Sequence, residues 1–276
     1  MKSFGLLVFV LASITVMSIY YNNVYAHSFY QNQASVFFTQ VILFEIENKL
    51  AGDNFPTNVS IALNHSENAF NLLKDILYFN KEVLNDADFV NKYQALLDNH
   101  NSTTNALLAA NLADESLKQY GLAQGLDIRE ASGLLNMSMS MAMGPTMNMV
   151  DNTSEDESNR GASMLSTDPS LDKILKNSSN DEVINQANYQ SAMMLANSLK
   201  ILFGTTLQNA TLQNSTGLMR IPIEMKSESV KSLGEGIDTL LLALNRKAPL
   251  EEIFSIVHGQ VHPNLFLAFD LKLKGD

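Results

Sequence analysis

The stretch SFYQNQASVFFTQVILFEIENKLAGDNFP, residues 28–56, decides the fold class. Its apolar side chains return every three or four positions, with Phe37, Val41 and Phe44 in one row and Phe38, Ile42, Ile46 and Leu50 in the next. That is the period of a helix and not of a strand. The pattern runs out at Gly52 and Pro56, residue types that stop helices, so an amphipathic helix is expected over 28–50. Working outward, Asn58 or Ser60 can start a second helix that carries Ile61, Phe70, Leu73, Ile76 and Leu77 to about Asn80. A third is expected over 86–97, with Phe89, Tyr93, Leu96 and Leu97 on one face, and a fourth over 103–120. Helices joined by short polar connections predict an antiparallel bundle.

From Gly133 the character changes. Met-Ser repeats, Gly144-Pro145 and the acidic run 151–158 show no apolar periodicity and read as a linker. Asp168 as N-cap with Pro169 at the first helical position restarts the helical pattern. Long helices are expected over 181–207 and 227–245, and a third opens at Pro249 and runs to Val261. His262-Pro263 should break it and start a last helix over 263–273, because the residue before proline avoids the α region. The expected fold is all-α: two antiparallel helical bundles, or one composite bundle, joined by a Met-rich, acidic disordered linker. The parts are a signal peptide at 1–26, an N-terminal bundle at 27–132, the linker at 133–168 and a C-terminal bundle at 169–276.

Lys2, the apolar run 4–19 and Val24-Tyr25-Ala26 have the layout of a secretory signal, with cleavage expected after Ala26. The alternative is an uncleaved signal anchor, since the run approaches the length of about 17 residues needed to span a bilayer. No later stretch has that length, so no membrane span is expected after cleavage, and the mature chain is expected to be secreted or at the cell surface. Eight Asn-x-Ser/Thr sites, at Asn58, Asn64, Asn101, Asn136, Asn152, Asn177, Asn209 and Asn214, fit a glycoprotein with that address. The bland alternative is a surface rich in Asn and Ser. With 18 Lys and Arg against 29 Asp and Glu, the net charge of −11 excludes counterion-driven nucleic-acid binding. The absence of Cys excludes thiol catalysis and disulfide staples.

Three groups carry candidate metal chemistry. His27, if cleavage exposes it, offers an amino group and an imidazole to one ion, a chelate that Cu(II) favours. Met137, Met139, Met141, Met143, Met147 and Met149 place six thioethers within 13 residues, soft ligands suited to Cu(I). His258 and His262 stand four apart, on one face of a continuous helix, although Pro263 leaves open whether the two rings converge. His65 is a further candidate ligand, and by itself reads as structural or solvated, as does His100. For each group the bland alternative is a chance residue after a signal, a low-complexity linker, or a surface pair.

The segment AHSFYQN at 26–32, the Met-rich middle and the closing run VHGQVHPNLFLAFDLKL at 257–273 resemble a group of secreted helical proteins of ammonia-oxidising archaea. The resemblance carries no activity with it. It implies a setting rich in extracytoplasmic copper enzymes. No Ser-His-Asp order, phosphate loop or metal-hydrolase motif is present, and Gly234-Glu-Gly236 is too short for a nucleotide fingerprint. The expected function is a non-enzymatic, copper-binding buffer or chaperone, with a metal ion and another cell-envelope protein as expected partners. The alternative is a cell-surface structural or interaction module.

Overall fold

A computed structural model describes residues 29–79, 101–136, 183–212 and 221–272. The fold is all-α: α1 (Gln33–Asn54), α2 (Val59–Phe79), α3 (Ser102–Ala123), α4 (Ile128–Asn136), α5 (Gln186–Leu202), α6 (Ile223–Asn245), α7 (Leu250–Ile256) and α8 (His262–Phe269). Two π-helical turns extend this set, Phe203–Leu207 after α5 and Val257–Val261 between α7 and α8. The expected helix at 86–97, the helix restart at Asp168-Pro169, and all but the first few residues of the expected linker lie outside the described residues.

The arrangement follows from α3. Almost every residue from Thr104 to Ala123 is buried, so this helix has no solvent face; α1, α4, α5, α7 and α8 pack on it, while α2 packs on α1 and α6 on α5 and α8. The fifth helix, α5, lies closely along it and antiparallel to it, with Asn185 N–H donating to the Ala123 carbonyl at 3.0 Å and Ser116 Oγ donating to the Ala192 carbonyl at 2.9 Å. The apolar core is continuous across both halves of the chain. Leu43 and Ile46 of α1, Leu117 of α3, Leu195 and Leu199 of α5, Leu240 of α6 and Leu265 of α8 belong to one cluster. Each fully buried leucine contributes about 1.5–3 kcal/mol of transfer free energy.

Local chemistry sets the helix ends. The first helix begins at Gln33 and not at residue 28, because the Asn32 side chain accepts the Ser35 amide at 2.7 Å and caps it there. The residues ahead of it are extended instead. Tyr30 N–H donates to the Lys272 carbonyl at 2.7 Å, so the two described ends of the fold meet. Gly52 does not stop α1, which continues to Asn54, where the Asn54 side chain donates back to the Leu50 carbonyl. Similarly, α4 runs past the expected boundary at Gly133 because Leu134 and Leu135 are buried in the core.

The expected break at His262-Pro263 is a correction. His262 keeps helical angles, φ −62° and ψ −46°, and its N–H bonds to Val257 five residues back. Proline removes one donor and crowds the preceding turn, and the wider π turn absorbs both effects without ending the helix. The Gly-x-Gly pair has a packing role: a Cβ at Gly234 would stand 2.9 Å from the Phe203 ring, and one at Gly236 would stand 3.2 Å from Gln260. After α8, Asp270 adopts a left-handed conformation, φ 51°, and its carboxylate pairs with the buried Lys226 of α6.

Candidate metal centre

The buried interior of α3 carries an unexpected carboxylate. Asp114 is 2% exposed, and the residues that approach it come from the far end of the chain. His258, 5% exposed, sits in the second π turn, and His262, 1% exposed, is the first residue of α8. The Nδ1 atoms of the two imidazoles lie 3.2 Å apart, with ring centroids 4.9 Å apart and the rings inclined at 71°. His262 Nε2 lies 3.1 Å from Asp114 Oδ1 but off the line of a hydrogen bond. One ligand atom from each of the three residues falls within 4.8 Å of the other two.

Two aromatic rings hold these imidazoles edge-on. Phe254 of α7 meets His258 at 4.4 Å and 63°, and Phe29 meets His262 at 5.4 Å and 73°. The electrostatics keep His258 neutral. Burial, and next the neighbouring His262, push it down to about 3, with Asp114 and the Leu134 backbone opposing only in part. A neutral imidazole is the form that binds a metal. One carboxylate and two imidazoles form a donor set that a borderline divalent ion such as Zn(II) or Cu(II) accepts.

His65, the other candidate histidine in the described residues, stands in a different place. Its Nδ1 faces Glu47 at 2.7 Å and its Nε2 faces Gln190 Oε1 at 3.0 Å, so both nitrogens donate. Burial alone would lower its pKa, but the Glu47 carboxylate and then Gln190 outweigh that and raise it above 6.5. Glu47 is completed by Ser191 Oγ at 2.5 Å and Asn68 Nδ2 at 3.1 Å. The result is a buried ion pair that ties α1, α2 and α5 together. Ser191 bonds Glu47 and not His65, so the trio lacks the nucleophile-to-base contact that catalysis needs.

Of the sequence candidates, the structure therefore brings His258 and His262 together and holds His65 in a separate ion pair. His27, His100, Met137, Met139, Met141, Met143, Met147 and Met149 lie outside the described residues. Asp114 was missed. In the run 111–118 it falls beside Asn111, Glu115 and Lys118, which reads as an ordinary polar face until α3 proves to be central. No family model matches the chain, and no curated protein or solved structure matches it either. Among the described residues no helix is long and apolar enough to cross a membrane.

Proposed function

We propose that this chain is an exported, non-enzymatic metal-binding protein, a copper buffer or chaperone, with Asp114, His258 and His262 as its centre. The convergence of three donors from α3, the π turn and α8 in a buried site carries this reading. A neutral imidazole at His258 and a buried carboxylate at Asp114 are both donor types that a divalent cation accepts. Two further candidate ligand groups stand close, along the chain, to described residues of the centre. Leu134, whose backbone acts on His258, precedes Met137 by three residues, so the expected Cu(I)-binding thioethers start within a short chain reach of it. His27 precedes Phe29 by two residues, a chain length of at most about 7 Å, and Phe29 touches His262. A processed amino terminus at His27 would add two nitrogen donors.

The test is Cu(II) electron paramagnetic resonance and competition against a weak chelator on protein with a verified His27 terminus. One tightly held, nitrogen-coordinated copper that is lost in His258→Ala supports the reading. Uptake of less than one copper, or uptake indifferent to His258, rejects it.

A second reading, a cell-surface interaction module, draws on α2 and on the sugar sites. Leu63, Phe70, Leu77 and Tyr78 of α2 are exposed, and so are all four sequon asparagines whose side chains are described, Asn58, Asn64, Asn101 and Asn209. This reading expects Phe70→Asp to release the protein from isolated envelopes while copper uptake stays unchanged.

A further inference from the structure

We propose that the extended segment Phe29-Tyr30 is the door of the metal centre, a strap that opens to admit or release the ion. The inference rests on the reading of Asp114, His258 and His262 as a metal site. All three are at most 5% exposed, so no ion reaches them unless something moves. Most of the described elements around the centre are helical. Asp114 is fixed within the most buried helix, His258 within a turn whose Val257 and Val261 are fully buried, and the α4 side is held by buried Leu134 and Leu135.

The side on which Phe29 lies is different in kind. Phe29, 1% exposed, lays its ring against His262, yet its neighbour Tyr30 is 67% exposed. Among the described residues, a backbone bond joins this segment to the C-terminal end, Tyr30 N–H to the Lys272 carbonyl at 2.7 Å. The receiving side is anchored, because Asp270 pairs with buried Lys226 and Leu271 is buried in the core. The strap is thus a two-residue extended element, one side chain in the core and one in solvent, docked on a rigid edge. Local openings follow the least protected contacts, and a short extended segment opens at lower cost than a core helix. When it lifts, Phe29 leaves the His262 ring and exposes the centre along the edge of α8. When it closes, Phe29 holds the imidazole in its bound orientation.

The experiment is stopped-flow release of Cu(II) from the fully loaded protein into excess EDTA. Tyr30→Pro deletes the bridge donor at an exposed position and leaves every buried side chain in place, so it tests the strap without removing core volume. It should speed release by about fivefold to tenfold at unchanged copper stoichiometry, the effect of losing one backbone hydrogen bond from the closed form. Phe29→Ala should speed it at least about tenfold. Leu50→Ala, near the other end of α1, is the control for general loosening and should leave release slow. Equal rates in the wild type and Tyr30→Pro, or equal acceleration in Leu50→Ala, overturn the strap while leaving the metal site standing. Failure of the wild type to load copper overturns both.

Discussion

His258 and His262 present their Nδ1 atoms to each other at 3.2 Å across a single π-helical turn. A hydrogen bond at this distance needs one ring to carry a proton on Nδ1 and the other to leave its Nδ1 lone pair free. The pair is therefore asymmetric before any ion arrives, and an ion held by both Nδ1 atoms requires the donor ring to carry its proton on Nε2 instead, which converts a hydrogen-bonded pair into a ligand pair.

Replacing either histidine should separate binding from folding. His258→Ala and His262→Ala are expected to lose stoichiometric Cu(II), and Asp114→Asn to weaken it by at least the about 10- to 100-fold that follows from removing a mere outer-shell partner. Isothermal titration against a competing chelator measures this, with circular dichroism checking that helix content persists. Full affinity in Asp114→Asn would remove the carboxylate from the ligand set.

The Glu47–His65 pair should matter for stability and leave metal uptake alone. Glu47→Gln leaves an imidazolium buried without its counter-charge, which costs about 3–5 kcal/mol. Thermal unfolding should show a large fall in Tm, and copper stoichiometry at a temperature where the variant is folded should stay unchanged.

The two buried histidine environments give opposite pH slopes in the metal-free protein. His65 has a folded pKa above 6.5, so its contribution is full below 6.5 and is lost as pH rises through the raised value. His258 is held at about 3, so the unfolded chain binds the extra proton between 3 and 6.5 and stability is lost as pH falls through that window. Urea midpoints should therefore peak near pH 6.5. Replacing His65 with Gln should flatten the alkaline limb and leave the acid limb in place.

Glycines divide by what surrounds them. Gly234→Ala should destabilise by about 1–3 kcal/mol, because a Cβ there would stand 2.9 Å from the Phe203 ring. Gly133→Ala, in helical α4 with nothing within 4 Å of the new atom, should stabilise by about 0.5–1 kcal/mol. Opposite shifts of the denaturant midpoint in the two variants are the expected result.

The helices were legible where periodicity and caps coincide. The expected span from 58 or 60 to 80 became Val59–Phe79, and the expected 103–120 became Ser102–Ala123. Periodicity identifies which residues share a stripe, but it does not say how many helices crowd around that stripe. This is why Asn111, Asp114, Glu115 and Lys118 read as a solvated face when they line the interior of a central helix. His258 and His262 were legible as a pair through their spacing, while their convergence depended on a π turn, which has no sequence signature. His65 shows the converse limit. An isolated histidine in the sequence finds its partner 18 residues earlier, through packing of α1 on α2.

The bridge between Tyr30 and Lys272 sets the order of events in the life of the chain. The centre needs Asp114 from the middle, His258 and His262 from near the end, and Phe29 from the beginning. A chain that stops before residue 258 lacks two of the three proposed ligands, so on the metal reading proposed above the site comes together only when nearly the whole fold is present.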